Sequence, residues 1–249
     1  MQKLTRIERR KRNRQIKFKL FLLMTIISLI MVFVIKSDLF KIDKIIVTGN
    51  TILDTNKIIE SSRISKGENI FKTDTNKIRQ NVEELSYVKE GKVRIKLPDT
   101  ITIDLIERKE AFFIKNISAY IIVDDEGYIL QQVDEKHKAL PVVLGLKIRQ
   151  IKSGNNIFTE PKASLLEEFI VEANRLNILK LVEQIDIEIP EQAKIQLNNG
   201  IDIAFGGLDN VKYKLGMLEE ILKDLEKKEI KCNKILMNRG SHPIIITED

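Results

Sequence analysis

The chain has 249 residues, enough to bury one or two hydrophobic cores. Its formal net charge is +6, but residues 1–19 hold nine Lys or Arg against the single Glu8, so residues 20–249 sum to about −2. That balance leaves no basic folded domain and argues against nucleic acid as a partner, and one cysteine, Cys232, excludes an internal disulfide.

Behind the basic tail, residues 20–35 form an apolar run whose only polar side chains are Thr25 and Ser28. It is hydrophobic all round, as a lipid-solvated helix is, rather than striped like a soluble one. Its sixteen residues span roughly 24 Å at about 1.5 Å each, against a hydrocarbon core of about 30 Å. Phe18 extends the run, and Lys19 and Lys36 are placed to snorkel. Twelve of the residues are Leu, Ile, Val or Phe, favouring insertion by at most roughly 4 to 7 kcal/mol. The run predicts a transmembrane helix over residues 20–36, with Leu20, Ile27 and Ile35 marking its start, middle and end. The positive-inside rule puts the tail, residues 1–19, in the cytoplasm, resting on anionic headgroups, and the rest of the chain outside. A cleaved signal peptide is the competing reading; Val34-Ile35-Lys36-Ser37-Asp38 offers it no small-x-small cleavage site.

Residues 40–113 read as one unit. Phe40, Ile42, Ile45 and Val47 form a strand-like pattern stopped by Gly49-Asn50. Asp54 caps a short helix with Ile58 and Ile59 inward, Lys66-Gly67-Glu68-Asn69 is a loop, and Asp74 precedes a second helix carrying Ile78, Val82 and Leu85. Strands follow at Val93 and Ile95, then at Ile101, Ile103 and Leu105, turning at Leu97-Pro98-Asp99-Thr100. The order is β-α-α-β-β, a three-stranded sheet with two helices on one face. Residues 110–119 are the expected junction to a second unit.

In that second unit Tyr120, Ile122 and Val123 pair with Tyr128 and Leu130 across Asp125-Glu126-Gly127. Residues 163–176 read as an amphipathic helix, and Ile185, Ile187 and Ile189 as a strand stopping at Pro190. Asn199-Gly200, between Ile195 and Leu197 and Ile201 and Ile203, is the strongest hairpin signal in the chain. A helix over residues 210–228 carries Leu215, Leu218, Leu222 and Leu225, followed by strands at 234–237 and 243–247 around an Arg239-Gly240 turn.

The phrase Leu97-Pro98-Asp99-Thr100-Ile101-Thr102-Ile103 leading into Glu107-Arg108, the strand and turn Ile122-Val123-Asp124-Asp125-Glu126-Gly127, and Leu140-Pro141-Val142-Val143-Leu144-Gly145 together resemble the FtsQ/DivIB family of bacterial cell-division proteins. Tail, single span, first unit and β-rich second unit also occur in that family's order. The resemblance implies an α+β chain: a single N-terminal transmembrane helix, a β-α-α-β-β POTRA domain over residues 37–112, then a mixed β-sheet domain with packed helices over residues 113–249. It also gives Glu107-Arg108 a sharper reading, an ordered junction between the two units, beside the bland one of a strand end with local ion pairs.

Chemistry is sparse. His137 and His242 lack ligand partners at metal-binding spacing, no nucleophile or phosphate-loop motif is present, and most carboxylates alternate with lysines on solvated helix faces. The chain therefore reads as no enzyme, with no cofactor, no metal and no small-molecule substrate. Binding is the alternative use of a sheet. Pro243-Ile244-Ile245-Ile246-Thr247 is short, apolar and near the end of the sequence, so it is expected either to form the last edge of its sheet, to complete the core, or both. The resemblance implies that this strand and the helix before it, with Leu215, Leu222, Ile244, Ile245, Ile246 and Thr247, dock small bitopic coiled-coil partners, the FtsL-like and FtsB/DivIC-like proteins. The implied role is a single-pass type II scaffold of the cell membrane at the division septum, helping to control septal peptidoglycan synthesis. Two other readings stay open: a membrane-tethered cell-wall enzyme or processing factor, with carboxylates or a histidine converging in a polar cleft, and a secreted protein after signal removal.

Overall fold

A computed structural model describes residues 6–117, 119–136, 138–148, 150–238 and 242–247; His137 and the Arg239-Gly240 turn lie outside them. The chain divides into two compact units, residues 1–83 with 90–106, and residues 84–89 with 107–249.

The first unit opens with α1 (Arg6–Lys36). The helix starts inside the basic tail, well before the apolar run, because Arg, Lys and Gln are good helix formers and no Gly or Pro interrupts them. Among the described residues its part from Asn13 to Lys36 is the one helix long and apolar enough to cross a membrane, and none of it is buried by protein. Leu20, Ile27 and Ile35 are all exposed along it.

Next come β1 (Lys44–Thr48), α2 (Thr55–Ser62), α3 (Thr75–Glu83), β2 (Val88–Lys96) and β3 (Thr100–Glu107). Asp54 Oδ1 accepts from Asn56 N and Lys57 N, and Asp74 Oδ1 from Asn76 N and Lys77 N, so both helices start where a carboxylate satisfies orphan donors. The sheet order is β1-β3-β2, with β1 parallel to β3 and Val47 opposite Ile103. Ile58, Ile78 and Val82 from the helices are buried with Ile101 and Ile103. The chain can leave β1 only through Gly49: its φ is +85°, and a Cβ there would sit 2.0 Å from the Leu105 carbonyl oxygen.

The second unit is one nine-stranded sheet in the order β12-β11-β10-β9-β8-β7-β4-β5-β6. Its strands are β4 (Glu110–Asn116), β5 (Ala119–Asp124), β6 (Ile129–Val133), β7 (Val142–Leu144), β8 (Val182–Asp186), β9 (Ala193–Leu197), β10 (Asp202–Gly206), β11 (Cys232–Leu236) and β12 (Ile244–Thr247). The parallel pairs β7–β8 and β10–β11 need crossovers, and α4 (Glu167–Arg175) and α5 (Val211–Lys227) supply them. Phe169 of α4 and Phe205 of β10 meet edge to face at 5.4 Å.

Registered pairs carry one row of side chains across the sheet: Gln132, Ile121, Ile114, Val143, Ile185, Ile195, Ile203, Ile235 and Ile245. The seven from Ile121 to Ile235 are buried in the core that also holds Phe169, Leu215 and Leu218. β-Branched side chains suit this position, being stiff and well packed on a pleated surface.

Within residues 110–119, expected as a junction, Glu110–Asn116 instead form β4 and Ala119 starts β5, with Phe112, Phe113 and Ile114 fully buried. Ile189 lies beyond the end of β8 and is exposed, because Asp186 Oδ1 takes Glu188 N at 2.8 Å and turns the chain out of the sheet.

The two glycines at positive φ in the first unit separate strain from overlap. Nothing lies within 4 Å of a Cβ built on Gly67, so Gly67→Ala should cost about 1 kcal/mol, whereas Gly49→Ala should cost about 3 kcal/mol or more. Hydrogen exchange of the β1 and β3 amides reads the difference; equal effects would mean that β1 leaves the sheet by another path.

Candidate functional site

A sheet has two edges, and these two differ. At the β6 edge, Ile129 N donates to Asn155 O at 2.8 Å and Gly154 N to Ile129 O at 2.7 Å, so the loop at residues 152–156 occupies the hydrogen-bonding groups of Ile129, the first residue of the strand. The strand also ends in the polar residues Gln131 and Gln132. Among the described residues no loop is hydrogen-bonded along the β12 edge in this way. Its strand pairs antiparallel with β11, placing Leu236 opposite Ile244, Ile235 opposite Ile245 and Lys234 opposite Ile246. Ile244, Ile245 and Ile246 are 48%, 41% and 43% exposed, so they do not complete the core. Ile245 extends the buried row outward by one strand, while Ile244 and Ile246 share the other sheet face with Leu236 and Lys234. No charge, proline or bulge lies within Ile244–Thr247 to blunt the edge; the register shift falls on β11, between Cys232 and Lys234.

Helix α5 contributes less than its sequence suggests. Leu215 is fully buried and Leu222 is packed against the core, so the leucine stripe points inward. Tyr213, 66% exposed, is the large side chain that α5 presents to solvent, and no sequence pattern singled it out.

Glu107 and Arg108 stand at the start of the second unit's main segment. Glu107 ends β3 and is partly exposed. Arg108 N donates to Tyr87 O at 2.8 Å, and its Nη1 reaches Asp124 Oδ2 at 2.6 Å and Glu126 Oε2 at 3.0 Å. The guanidinium lies 3.6 Å from the centre of the Tyr128 ring. Asp124 is buried; its Oδ1 accepts from Tyr128 N and Glu126 N, which folds the β5–β6 turn around the ion pair. Burial pushes the Asp124 carboxyl up, against the pull of Arg108. Lys89 Nζ, 2.6 Å from Glu126, holds that carboxyl below its usual range, helped by Arg108. Tyr87 donates to Glu110 at 2.7 Å; burial, then the Glu110 carboxylate, pushes its phenol up and keeps it a neutral donor.

These carboxylates are the ones that converge, and they are engaged: Asp124 and Glu126 on Arg108, Glu126 also on Lys89, Glu110 on Tyr87 and Lys138. Among the described residues no group of three His, Cys, Asp or Glu could hold a metal. The Cys232 thiol is buried, with Sγ 3.5 Å from Lys234 O, and His242 is exposed.

A membrane-length helix leading into a β-α-α-β-β unit, followed by a mixed sheet with one bare edge, defines an anchored α+β protein of the POTRA class. Residues 40–108 match the family model for the FtsQ-type POTRA domain. The cell division protein FtsQ of Corynebacterium glutamicum is 31% identical over 188 residues, covering 74% of this chain and 80% of that protein. Cell division protein DivIB of Clostridium botulinum is 27% identical over 245 residues, 97% of this chain and 95% of that one. A solved structure of the major extracytoplasmic domain of DivIB from Geobacillus stearothermophilus, in its trans isomer, aligns with a TM-score of 0.34 at 14% identity, covering 49% of this chain and 96% of that one. The chain belongs to the FtsQ/DivIB family of bacterial cell-division proteins.

Because Asp124 is sealed from water, removing its partner leaves an uncompensated buried charge. Arg108→Ala should destabilise the second unit by about 3–5 kcal/mol, and Arg108→Met with Asp124→Asn, which removes the buried charge but keeps Oδ1 as the acceptor for Tyr128 N and Glu126 N, should recover part of that. Denaturant midpoints measure both; a loss under about 1 kcal/mol for Arg108→Ala would show the pair to be solvated.

Proposed function

We propose that this protein is a non-catalytic, bitopic scaffold of the divisome. Residues 1–19 form the cytoplasmic tail, residues 20–36 span the cytoplasmic membrane, and the POTRA domain and the β domain that follows it, divided before β4, stand outside the cell at the septum. Glu107 and Arg108 order the junction between the two domains. The β12 edge receives a strand from a small bitopic coiled-coil partner, FtsL-like or FtsB/DivIC-like, and the resulting complex helps to control septal peptidoglycan synthesis.

One observation carries this reading: the isoleucine row ends in the open at Ile245, on a strand with one vacant hydrogen-bonding side. An added strand would satisfy the free N–H and C=O groups of β12, and its alternate side chains would extend the row, so affinity comes from the main chain and selectivity from apolar matching. The positive tail supports the orientation. The enzyme alternative requires free carboxylates in a cleft, and the converging ones are bound to Arg108, Lys89, Lys138 and Tyr87.

The test is partner capture by the full chain. Ile245→Glu puts a carboxylate where an added strand must bury an apolar contact, yet it sits outside the core, so folding should be retained while capture weakens at least about tenfold, a change of about 1.4 kcal/mol. Unchanged capture by this variant would remove the edge from the account. A fluorescent fusion of the natural chain should gather at midcell, and uniform membrane labelling with normal septation would contradict the divisome assignment.

A further inference from the structure

The last turn of a helix leaves carbonyl oxygens without intrahelical partners. At the end of α1 two of them belong to Val34 and Ile35, and both accept from the Asn69 side-chain amide, at 2.8 and 3.1 Å. A third, on Phe33, accepts from Ser37 N at 2.8 Å. Asn69 is only 8% exposed, and its Oδ1 accepts from Phe71 N at 3.0 Å, so the amide is fixed at both ends. The chain on either side is tied to the residues that leave the helix. Ile42 N donates to Glu68 O and Gly67 N to Ile42 O, both at 2.9 Å, and Lys41 bridges Asn69. The rings of Phe40 and Phe71 lie 5.3 Å apart. Residues 37–42 and 66–72 thus form a knuckle seated on the helix end. It exposes Leu39, 59%, and Phe71, 50%, and is fringed by the exposed Lys36, Lys66 and Lys72 and by two carboxylates, Asp38, which is paired with Lys41, and Glu68.

Geometry assigns this surface an occupant. The apolar run falls about 6 Å short of the hydrocarbon thickness, and a short span draws its flanks toward the bilayer. Asn69 bonds the carbonyl of the run's last residue, so the knuckle starts level with the hydrocarbon boundary. Leu39 lies four residues past Ile35, and at about 2 Å per residue in a tight turn it advances no more than about 8 Å. One headgroup layer is roughly 5–8 Å deep. We propose that the knuckle is a second membrane contact: Leu39, Phe40 and Phe71 lie in the headgroup layer of the leaflet at the C-terminal end of α1, held there by Asn69 capping the span. The proposal rests on the membrane-anchored reading. Leu and Phe suit that layer, and the surrounding ammonium groups suit anionic lipid. The consequence is that the first unit does not swing on a loose tether; its orientation on the membrane is set by the helix end.

The chain has no tryptophan, so a single introduced one reports its own position. Full-length Leu29→Trp and Phe71→Trp variants are reconstituted in phosphatidylglycerol–phosphatidylethanolamine vesicles, with lipids brominated either near the headgroup or near the chain ends. Leu29→Trp should be quenched most by chain-end bromine and Phe71→Trp most by bromine near the headgroup. Adding Asn69→Asp, which keeps the acceptor for Phe71 N and loses both donors, should lower the Phe71→Trp quenching by about half or more. An unquenched Leu29→Trp overturns the anchored reading itself. Quenched Leu29→Trp with unquenched Phe71→Trp overturns the knuckle alone and leaves its surface to a protein. Quenching of Phe71→Trp that survives Asn69→Asp overturns the role of the cap.

Discussion

Eight of the nine strands in the second unit are held in register by one line of β-branched side chains that runs through them. Buried from Ile121 to Ile235, it is packed from above by α4 and α5. A one-residue slip in β8 or β9 would turn Ile185 or Ile195 to the other face and bring a polar neighbour, Gln184 or Asp186, Lys194 or Gln196, into the core. The parallel pairs depend on the same line, since β7–β8 and β10–β11 are joined only through long crossovers and gain their register from Val143 against Ile185 and Ile203 against Ile235. The line stops at Ile245 without a capping residue. What holds the sheet together therefore also reaches the surface at β12, and under the proposed function this is the edge made ready for another strand.

The two edges show how the fold directs that readiness. At β6 the line meets Gln132, and a loop takes up the main-chain groups of Ile129 at the start of the strand. At β12 three isoleucines lie open on both faces. The ion pair of Arg108 and Asp124 acts elsewhere in the unit: it fixes the β5–β6 turn, while the Arg108 backbone N–H, donating to Tyr87 O, ties Tyr87 to the start of the second unit's main segment. In the first unit the comparable constraint is the Asn69 amide at the end of α1.

Most of the first unit was legible in the sequence because its signals are local. Asp54 and Asp74 sit one residue before their helices, and Gly49 marks a turn that no other residue can make. The Asn199-Gly200 hairpin is equally local, with Gly200 at φ +87°. Strand β4 was missed because Phe112, Phe113 and Ile114 are buried in succession, and a strand covered on both faces loses the alternation that reveals strands. Strand β7 has only three residues. The α5 stripe was legible as a stripe, but an amphipathic pattern marks the face that is buried, and Leu215 is at the centre of it. The Asn69 cap and the cross-sheet line had no sequence signal, since each joins residues far apart in the chain.

The most direct test of the open edge is hydrogen exchange at the β12 amides, Ile244, Ile245, Ile246 and Thr247, in the full chain with and without the coiled-coil partners of the proposed function. Alternate amides of β12, those facing away from β11, should exchange rapidly in the free protein and slow strongly in the complex, while β6 amides stay unchanged. A complex that forms while every β12 amide keeps its free-state rate would contradict strand addition at this edge.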